Sequence, residues 1–310
     1  MYYEQGLSQA TIAQKLRVSQ AGVSRLLKRA QEEEIVRISV MPPQGVFTEL
    51  EHALEDRYHL REALVVESSR SSSLLLRELG AAAAVYLETV VRRNEVIGLS
   101  AWSESLLAMT KAMHPGDLPS GVQVAQIVGG IGNPNAEDHA TQLTFSVARL
   151  LNAQVHLLAA PGVVASAQVR DALLADPFIG ESVALFPKVT LALVGIGAIK
   201  PSRLVSKSGN VFTPEELEPV KRKGAVGDIC MRFFDVDGNA IETPLDERVI
   251  GMSLQQLKGV KRSVGIAGGP RKFSAIRGAL AGGWVNVLIT DRDSAQRLVD
   301  LPPRNTRRGE

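Results

Sequence analysis

The stretch "SVGIAGGPRKFSAIRGALAGGWVNVLITD", Ser263–Asp291, decides the fold. "SVGIAGG" is an apolar run closed by glycines, the pattern of a buried strand. "PRKFSAIRGALAGG" predicts a helix with Pro270 in its first turn, where a missing N–H costs nothing. "VNVLITD" is a second apolar strand. Strand, helix and strand in succession make parallel neighbours. Strands apolar along their whole length fit a sheet covered on both faces.

The same alternation runs upstream. "REALVVES", "EVIGLS", "VQVAQIVGG", "QVHLLAAPG" and "VTLALVGIGAI" read as strands. "VFTELEHALEDRY", "LLLRELGAAAAVYLETVVRR", "AWSESLLAMTKAM", "EDHATQLTFSVARLLN" and "SAQVRDALLAD" read as helices, with "RDSAQRLVDL" the last. The expected fold is α/β: a large, mostly parallel sheet with helices on both faces, preceded by a small helical domain. One segment breaks the rhythm. "ICMRFFDVDGNAIETPL" predicts a hairpin turning at its Asp-Gly. Its glycine is two positions too early for an EF-hand calcium loop, and strands flank it where helices should. Cys230, beside Phe233 and Phe234, reads as core.

Ligands of open parallel sheets bind beyond the carboxyl ends of the strands. Here those ends are rich in glycine and small polar residues: Gly98 and Ser100, Gly129 and Gly130, Gly197, and Gly268 and Gly269. Arg271 and Lys272 follow Pro270 at a helix N-terminus, where cations oppose the helix dipole by ~0.3–1 kcal/mol each. A bound anion removes the conflict, because backbone N–H groups and both cations then face it. A phosphate is the natural candidate; the alternative is that both side chains turn to solvent. Ser103, with Ser100 and Ser105, offers hydroxyls or helix caps, Trp102 a sugar-stacking face or a core side chain, and Asp228 a hydroxyl acceptor or a turn.

At the front, "SQATIAQKLRVSQAGVSRLL", Ser8–Leu27, predicts two short helices. Ser8 and Ser19 are their N-caps; Ile12, Ala13 and Leu16, then Val23, Leu26 and Leu27, form the inner faces. Such a pair with a basic second helix makes a helix-turn-helix. On the DNA-binding helix opened by Ser19, Gln20 and Arg25 suit base edges in a major groove, Ala21 and Ser24 suit thymine methyls or phosphates, and Lys28 and Arg29 suit phosphates. Residues 5–31 carry five cations and no acid, so this window holds +5 and the remainder −3 of a net charge of +2. A basic segment on a mildly acidic body is a footprint of polyanion binding.

Composition narrows the classes further. A single cysteine, Cys230, permits no internal disulfide and no thiolate metal site, which fits a reducing cytoplasm. Five scattered histidines give no zinc pair, and the longest apolar runs are too short to span a bilayer. No cofactor and no membrane partner are expected. The expected division is 1–40 for the helix-turn-helix domain, 41–46 for a linker through "MPPQG", 47–302 for the effector-binding and oligomerisation domain, and 303–310 for a disordered tail.

"GLSQATIAQKLRVSQAGVSRLLKRAQEEEIVRISV", "VIGLS", "IVGGIG", "LALVGIGAI", "KGAVGDICMRFFDVDGN" and "VGIAGGPRKFSAIRGALAGGWVNVLITD", in this order, resemble the SorC family of bacterial sugar-responsive transcriptional regulators over nearly the whole chain. The resemblance implies a helix-turn-helix joined to an effector domain like those of ribose-5-phosphate isomerase and glucosamine-6-phosphate deaminase. It also implies operator DNA as a partner, a phosphorylated sugar or polyol as effector, and a homo-oligomer, dimer or tetramer. The effector phosphate is implied near Gly129–Gly130 and Lys272. Two departures stand out. The family's first long helix has no counterpart before Tyr2, so the natural start is expected further upstream or the domain is completed by contacts elsewhere. The family's Trp-Gly pair after "VIGLS" is replaced by "AWSES". Two other readings remain open: a sugar-phosphate isomerase or deaminase with an added DNA-binding domain, and a constitutive DNA binder whose large domain only oligomerises. Against the enzyme, the loops at 98–100, 129–132, 195–200 and 267–272 hold no acid; Asp228 and Glu104 are the nearby carboxylates.

Overall fold

A computed structural model of the chain describes all residues except 33, 34, 36–46, 101, 115–118, 133, 203, 205, 207, 208, 210, 211 and 303–310, and leaves out the side chains of 3, 4, 31, 32 and 134–140. The expected linker at 41–46 and the tail at 303–310 lie outside the described residues. The chain divides into two compact units, Met1–Val46 and Phe47–Glu310.

The first unit contains helices α1 (Tyr2–Gln5), α2 (Gln9–Leu16) and α3 (Gln20–Glu32). Ser8 Oγ accepts the Thr11 N–H at 3.1 Å and starts α2; Ser19 Oγ accepts the Gly22 N–H at 3.0 Å and starts α3. Between them Arg17 takes a left-handed conformation (φ 56°), and the Val18 N–H returns to Ala13 O at 3.1 Å, closing α2. The buried core is Ile12, Ala13 and Val23, with Leu7 and Leu27 packed on it. Leu16 and Leu26, expected on the inner faces, are 49% and 58% exposed. The i, i+4 pair Val23 and Leu27 supplies the inner stripe of α3, and Leu26, about 100° round from Leu27, falls off it.

In the second unit seven parallel strands line up in the order β1 (Glu62–Val66), β10 (Val287–Asp291), β9 (Arg262–Ile266), β5 (Leu191–Gly195), β2 (Val96–Leu99), β3 (Gln123–Gln126), β4 (Gln154–His156). Every residue of β2, β9 and β10 is buried. One face is covered by α5 (Ser72–Val90), α6 (Glu104–Ala112) and α7 (Pro134–Leu150). The other carries α4 (Thr48–Tyr58), α8 (Ala167–Leu174), α9 (Pro177–Val183), and three helices near the end of the chain: α11 (Leu254–Lys258), α12 (Phe273–Ala281) and α13 (Arg292–Asp300). α10 (Pro214–Arg222) starts at a capping box between Thr213 and Glu216 and packs Leu217 and Val220 into a satellite core with Phe212 and Phe233.

Three expectations need correction. "VTLALVGIGAI" is two strands: β5 stays in the large sheet, and after buried Ile196 the chain leaves it as β6 (Gly197–Ala198). β6 joins an antiparallel sheet with β7 (Ala225–Ile229) and β8 (Arg232–Asp235). The hairpin β7–β8 turns at Cys230 and Met231, both left-handed (φ 53° and 63°), as a two-residue turn requires. The Asp-Gly turn comes one strand later, where the Asp235 carboxylate accepts the N–H groups of Asp237 and Asn239. Finally, Pro270–Lys272 is a separate 3₁₀ turn, and α12 begins only at Phe273.

Candidate functional site

From β2 the chain moves outward through β3 to β4, then returns to β5 on the other side of β2 and goes on to β9 and β10. The β2/β5 seam is the topological switch point, where open parallel sheets leave a crevice at the carboxyl ends. Ser100 fastens the seam. Its N–H bonds Leu193 O at 3.1 Å, and its Oγ accepts the Gly195 N–H at 3.1 Å.

A cavity of about 820 Å³ opens there. Its lining comes from the ends of β1 (Ser68–Arg70, Ser72), β2 (Ser100, Trp102–Ser105), β5 and β6 (Gly195–Ser202), β9 (Gly268–Lys272) and β10 (Arg292, Asp293). The small sheet adds Asp228, Cys230, Met231 and Phe233, while Phe212, Leu217 and, from α5, Leu75, Leu76 and Leu79 supply apolar walls.

Of the residues expected at the effector site, Ser100, Trp102, Ser103, Gly197, Asp228, Gly268, Gly269, Arg271 and Lys272 line this one cavity. Trp102 is buried, with its indole N–H donated to Gly129 O at 3.0 Å, so it forms a fixed wall. Ser103 caps α6 by accepting the Leu106 N–H at 3.3 Å. Gly98, Gly129 and Gly130 do not line the cavity. They are glycines for packing: a Cβ on Gly98 would lie 2.7 Å from Ile127, on Gly129 2.4 Å from the Pro161 backbone, and on Gly130 2.8 Å from the Gln126 side chain. The serine-rich loop "SSRSSS" after β1 escaped the sequence reading, although serines around an arginine at a strand end were a legible signal.

The chemistry centres on Lys272 and Asp228. Lys272 is the last residue of the 3₁₀ turn, and no side chain caps the start of α12. Its ammonium forms no ion pair or hydrogen bond with the described residues. Burial holds it below the ordinary lysine range and Arg271 adds to this, while Glu104 and Asp228 pull the other way. Asp228 is half-buried and lines the cavity. Its Oδ2 accepts the Met231 N–H at 3.2 Å, and a Cβ on Gly197 would lie 2.1 Å from its Oδ1, so a glycine is needed opposite it. Burial pushes the Asp228 carboxyl up to about 6, against the Met231 N–H and the Lys272 charge. The same burial, with the Asp228 charge, pushes the Cys230 thiol up to about 12, so this cysteine lines the cavity as an unreactive group. Among the described residues no group of three His, Cys, Asp or Glu could hold a metal ion, and no helix is long and apolar enough to cross a membrane.

Residues 43–300 match the family model described as "Putative sugar-binding domain". The chain is 34% identical over 301 residues to the deoxyribonucleoside regulator of Bacillus subtilis, covering 97% of this chain and 95% of that one. It is 30% identical over 306 residues to the sorbitol operon regulator of Klebsiella pneumoniae, covering 96% and 95%. The chain belongs to the SorC family of transcriptional regulators with a sugar-binding domain. The crystal structure of the full-length sorbitol operon regulator SorC from Klebsiella pneumoniae superposes with a TM-score of 0.78 at 28% identity, over 96% of each chain. In this SorC-family regulator the cavity lies within the matched sugar-binding domain.

The raised Asp228 carboxyl gives a pH signature. Between the ordinary carboxylate range, about 4, and about 6 the folded chain holds a proton at Asp228 that the unfolded chain has released. The stability from that proton is present at low pH and is lost as pH rises through about 6. Asp228→Asn carries no charge and escapes the loss. Its melting temperature relative to wild type is expected to rise between about pH 5 and about pH 7.5 in thermal denaturation; a constant difference would remove the buried-carboxyl account.

Proposed function

We propose that this chain is a DNA-binding transcriptional regulator whose operator affinity is set by a phosphorylated sugar or related metabolite in the β2/β5 cavity. The observation that carries the effector reading is Lys272: a half-buried lysine without an ion-pair partner among the described residues, at an uncapped helix start, inside a cavity with hydroxyls and an indole wall. An anion at Lys272 supplies the missing counter-charge, while Asp228 and the serines hold sugar hydroxyls. The names of the relatives, a deoxyribonucleoside regulator and a sorbitol operon regulator, support a pentose- or hexitol-sized effector.

The DNA end of this reading is α3. Ser19, Gln20, Ala21, Ser24, Arg25, Lys28 and Arg29 all lie exposed on α3 or its cap, and α2 with α3 forms the helix-turn-helix. A homo-oligomer, dimer or tetramer, matches a palindromic operator, and the regulator works in the cytoplasm. Thermal shift against a panel of sugar phosphates, followed by gel shifts on the gene's own upstream region, tests the whole. The true effector raises the melting temperature and changes the shift. A full-length protein that shifts no DNA, or that no sugar phosphate stabilises, defeats the proposal.

Asp228 favours a second reading. A carboxyl that titrates near neutrality beside a sugar site is what an isomerase or deaminase uses to move protons. Turnover of ribose 5-phosphate or an amino-sugar phosphate by pure protein decides for it. We propose that the chain binds and does not turn over its ligand.

A further inference from the structure

Asp291 ends β10 and caps α13, and the residue is 2% exposed. Its Oδ1 accepts the Ser294 N–H at 3.1 Å and the Ser68 hydroxyl at 3.1 Å. Its Oδ2 accepts the Ser294 hydroxyl at 2.7 Å and, across to the next strand, the Gly269 N–H at 2.6 Å. Burial works against the charge, but these four donors outweigh it and hold the carboxyl below the ordinary range. Gly268 fits directly on this carboxylate: a Cβ there would lie 2.7 Å from Oδ2. One ionised group thus clamps the loop that carries Lys272 to the first turn of α13.

The other end of α13 is held by α4. Tyr58 donates its hydroxyl to Leu298 O at 3.2 Å. The Arg57 guanidinium donates to Val299 O at 3.1 Å, to Pro302 O at 2.9 Å and to Leu301 O. α4 starts at Thr48, just past Val46, the last residue of the N-terminal unit. Loop, carboxylate, α13 and α4 therefore form one continuous bonded run.

We infer that Asp291 is a positioning residue that couples occupancy of the cavity to α13 and, through Arg57 and Tyr58, to α4, the first helix of the second unit. This rests on the effector reading of the cavity. An anion drawing Lys272 and its loop inward loads the Gly269–Asp291 bond. That bond ends on the same carboxylate that fixes the start of α13, so the helix responds as a body. Coupling of this kind is an energy between sites and has to be read as one.

The test is hydrogen–deuterium exchange on the full chain, with and without saturating inorganic phosphate, in wild type and Asp291→Asn. Asparagine keeps Oδ1, and with it the cap of α13, but puts an N–H₂ group against the Gly269 N–H. In wild type, phosphate is expected to slow exchange about threefold or more in the 268–272 loop and in α13 and α4 alike. In Asp291→Asn the loop keeps its protection while α13 and α4 lose theirs. Arg57→Ala combined with Tyr58→Phe, remote from the cavity, guards against a misfolded Asp291 variant: loop and α13 stay protected and only α4 is released. Loop protection without any change in α13 and α4 in wild type overturns the coupling and leaves the site standing. So does an Asp291→Asn protein that still passes protection to both helices. No protection of the loop in wild type removes the site and the coupling together.

Discussion

Lys272→Ala is expected to bind inorganic phosphate and sugar phosphates about ten- to a hundredfold more weakly than wild type, with DNA binding in the absence of effector unchanged. The magnitude follows from the loss of a hydrogen bond to a charged group, about 1.5–3 kcal/mol. The selectivity follows from the surroundings. Lys272 makes no ion pair with the described residues, and burial already holds its ammonium below the ordinary lysine range, so the charge is a burden on the empty fold. Removing it takes away the proposed ligand contact and breaks no ion pair among the described residues. Lys272→Arg is a sharper control. It keeps the charge but presents a planar fork in place of a compact ammonium, so it is expected to recover only part of the affinity. Calorimetric titration for the effector and gel shifts for DNA read the two ends separately. A Lys272→Ala protein with an undiminished effector response would place the anion elsewhere in the cavity.

The periodic parts of this fold were legible in the sequence because periodicity is a local property. The strand "VNVLITD", the helix within "PRKFSAIRGALAGG" and the caps at Ser8 and Ser19 are each decided by neighbours within a few residues. The placement of Lys272 at a strand end was legible for the same reason. The pairing of β1 with β10 was not: Val65 lies against Thr290, and no local pattern records so distant a partner. The break at Ile196 was hidden too, because β5 and β6 together form one apolar run whose two halves satisfy different sheets. Glycine is ambiguous by nature. Gly268 and Gly269 border the cavity, while Gly129 makes room for the Pro161 backbone and Gly98 for Ile127, and all four carry the same letter. Asp291 read as the last residue of a strand. Its role comes from a second oxygen reaching Gly269, a contact made only once β9 and β10 lie side by side.

At the DNA end the largest effect is expected from Arg25→Ala, which should weaken operator binding about five- to a hundredfold while leaving effector affinity as it was. Arg25 is exposed on α3, and nothing in the described structure engages its guanidinium. The fold of the N-terminal unit rests on Ile12, Ala13 and Val23, which this substitution does not touch. Its cost therefore falls on DNA. A bidentate contact from arginine to guanine is worth about 1–3 kcal/mol and is lost only on sequences that present the right base. The loss should then be large on the operator and small on unrelated DNA, with little change in salt dependence. Lys28→Ala offers the contrast: a phosphate contact weakens both alike and lowers the salt slope by about one. If Arg25→Ala instead behaves as Lys28→Ala is expected to, then Arg25 holds the backbone and reading passes to Gln20 and Ser24. If Arg25→Ala also lowers effector affinity, the two ends of the chain do not divide the work as proposed.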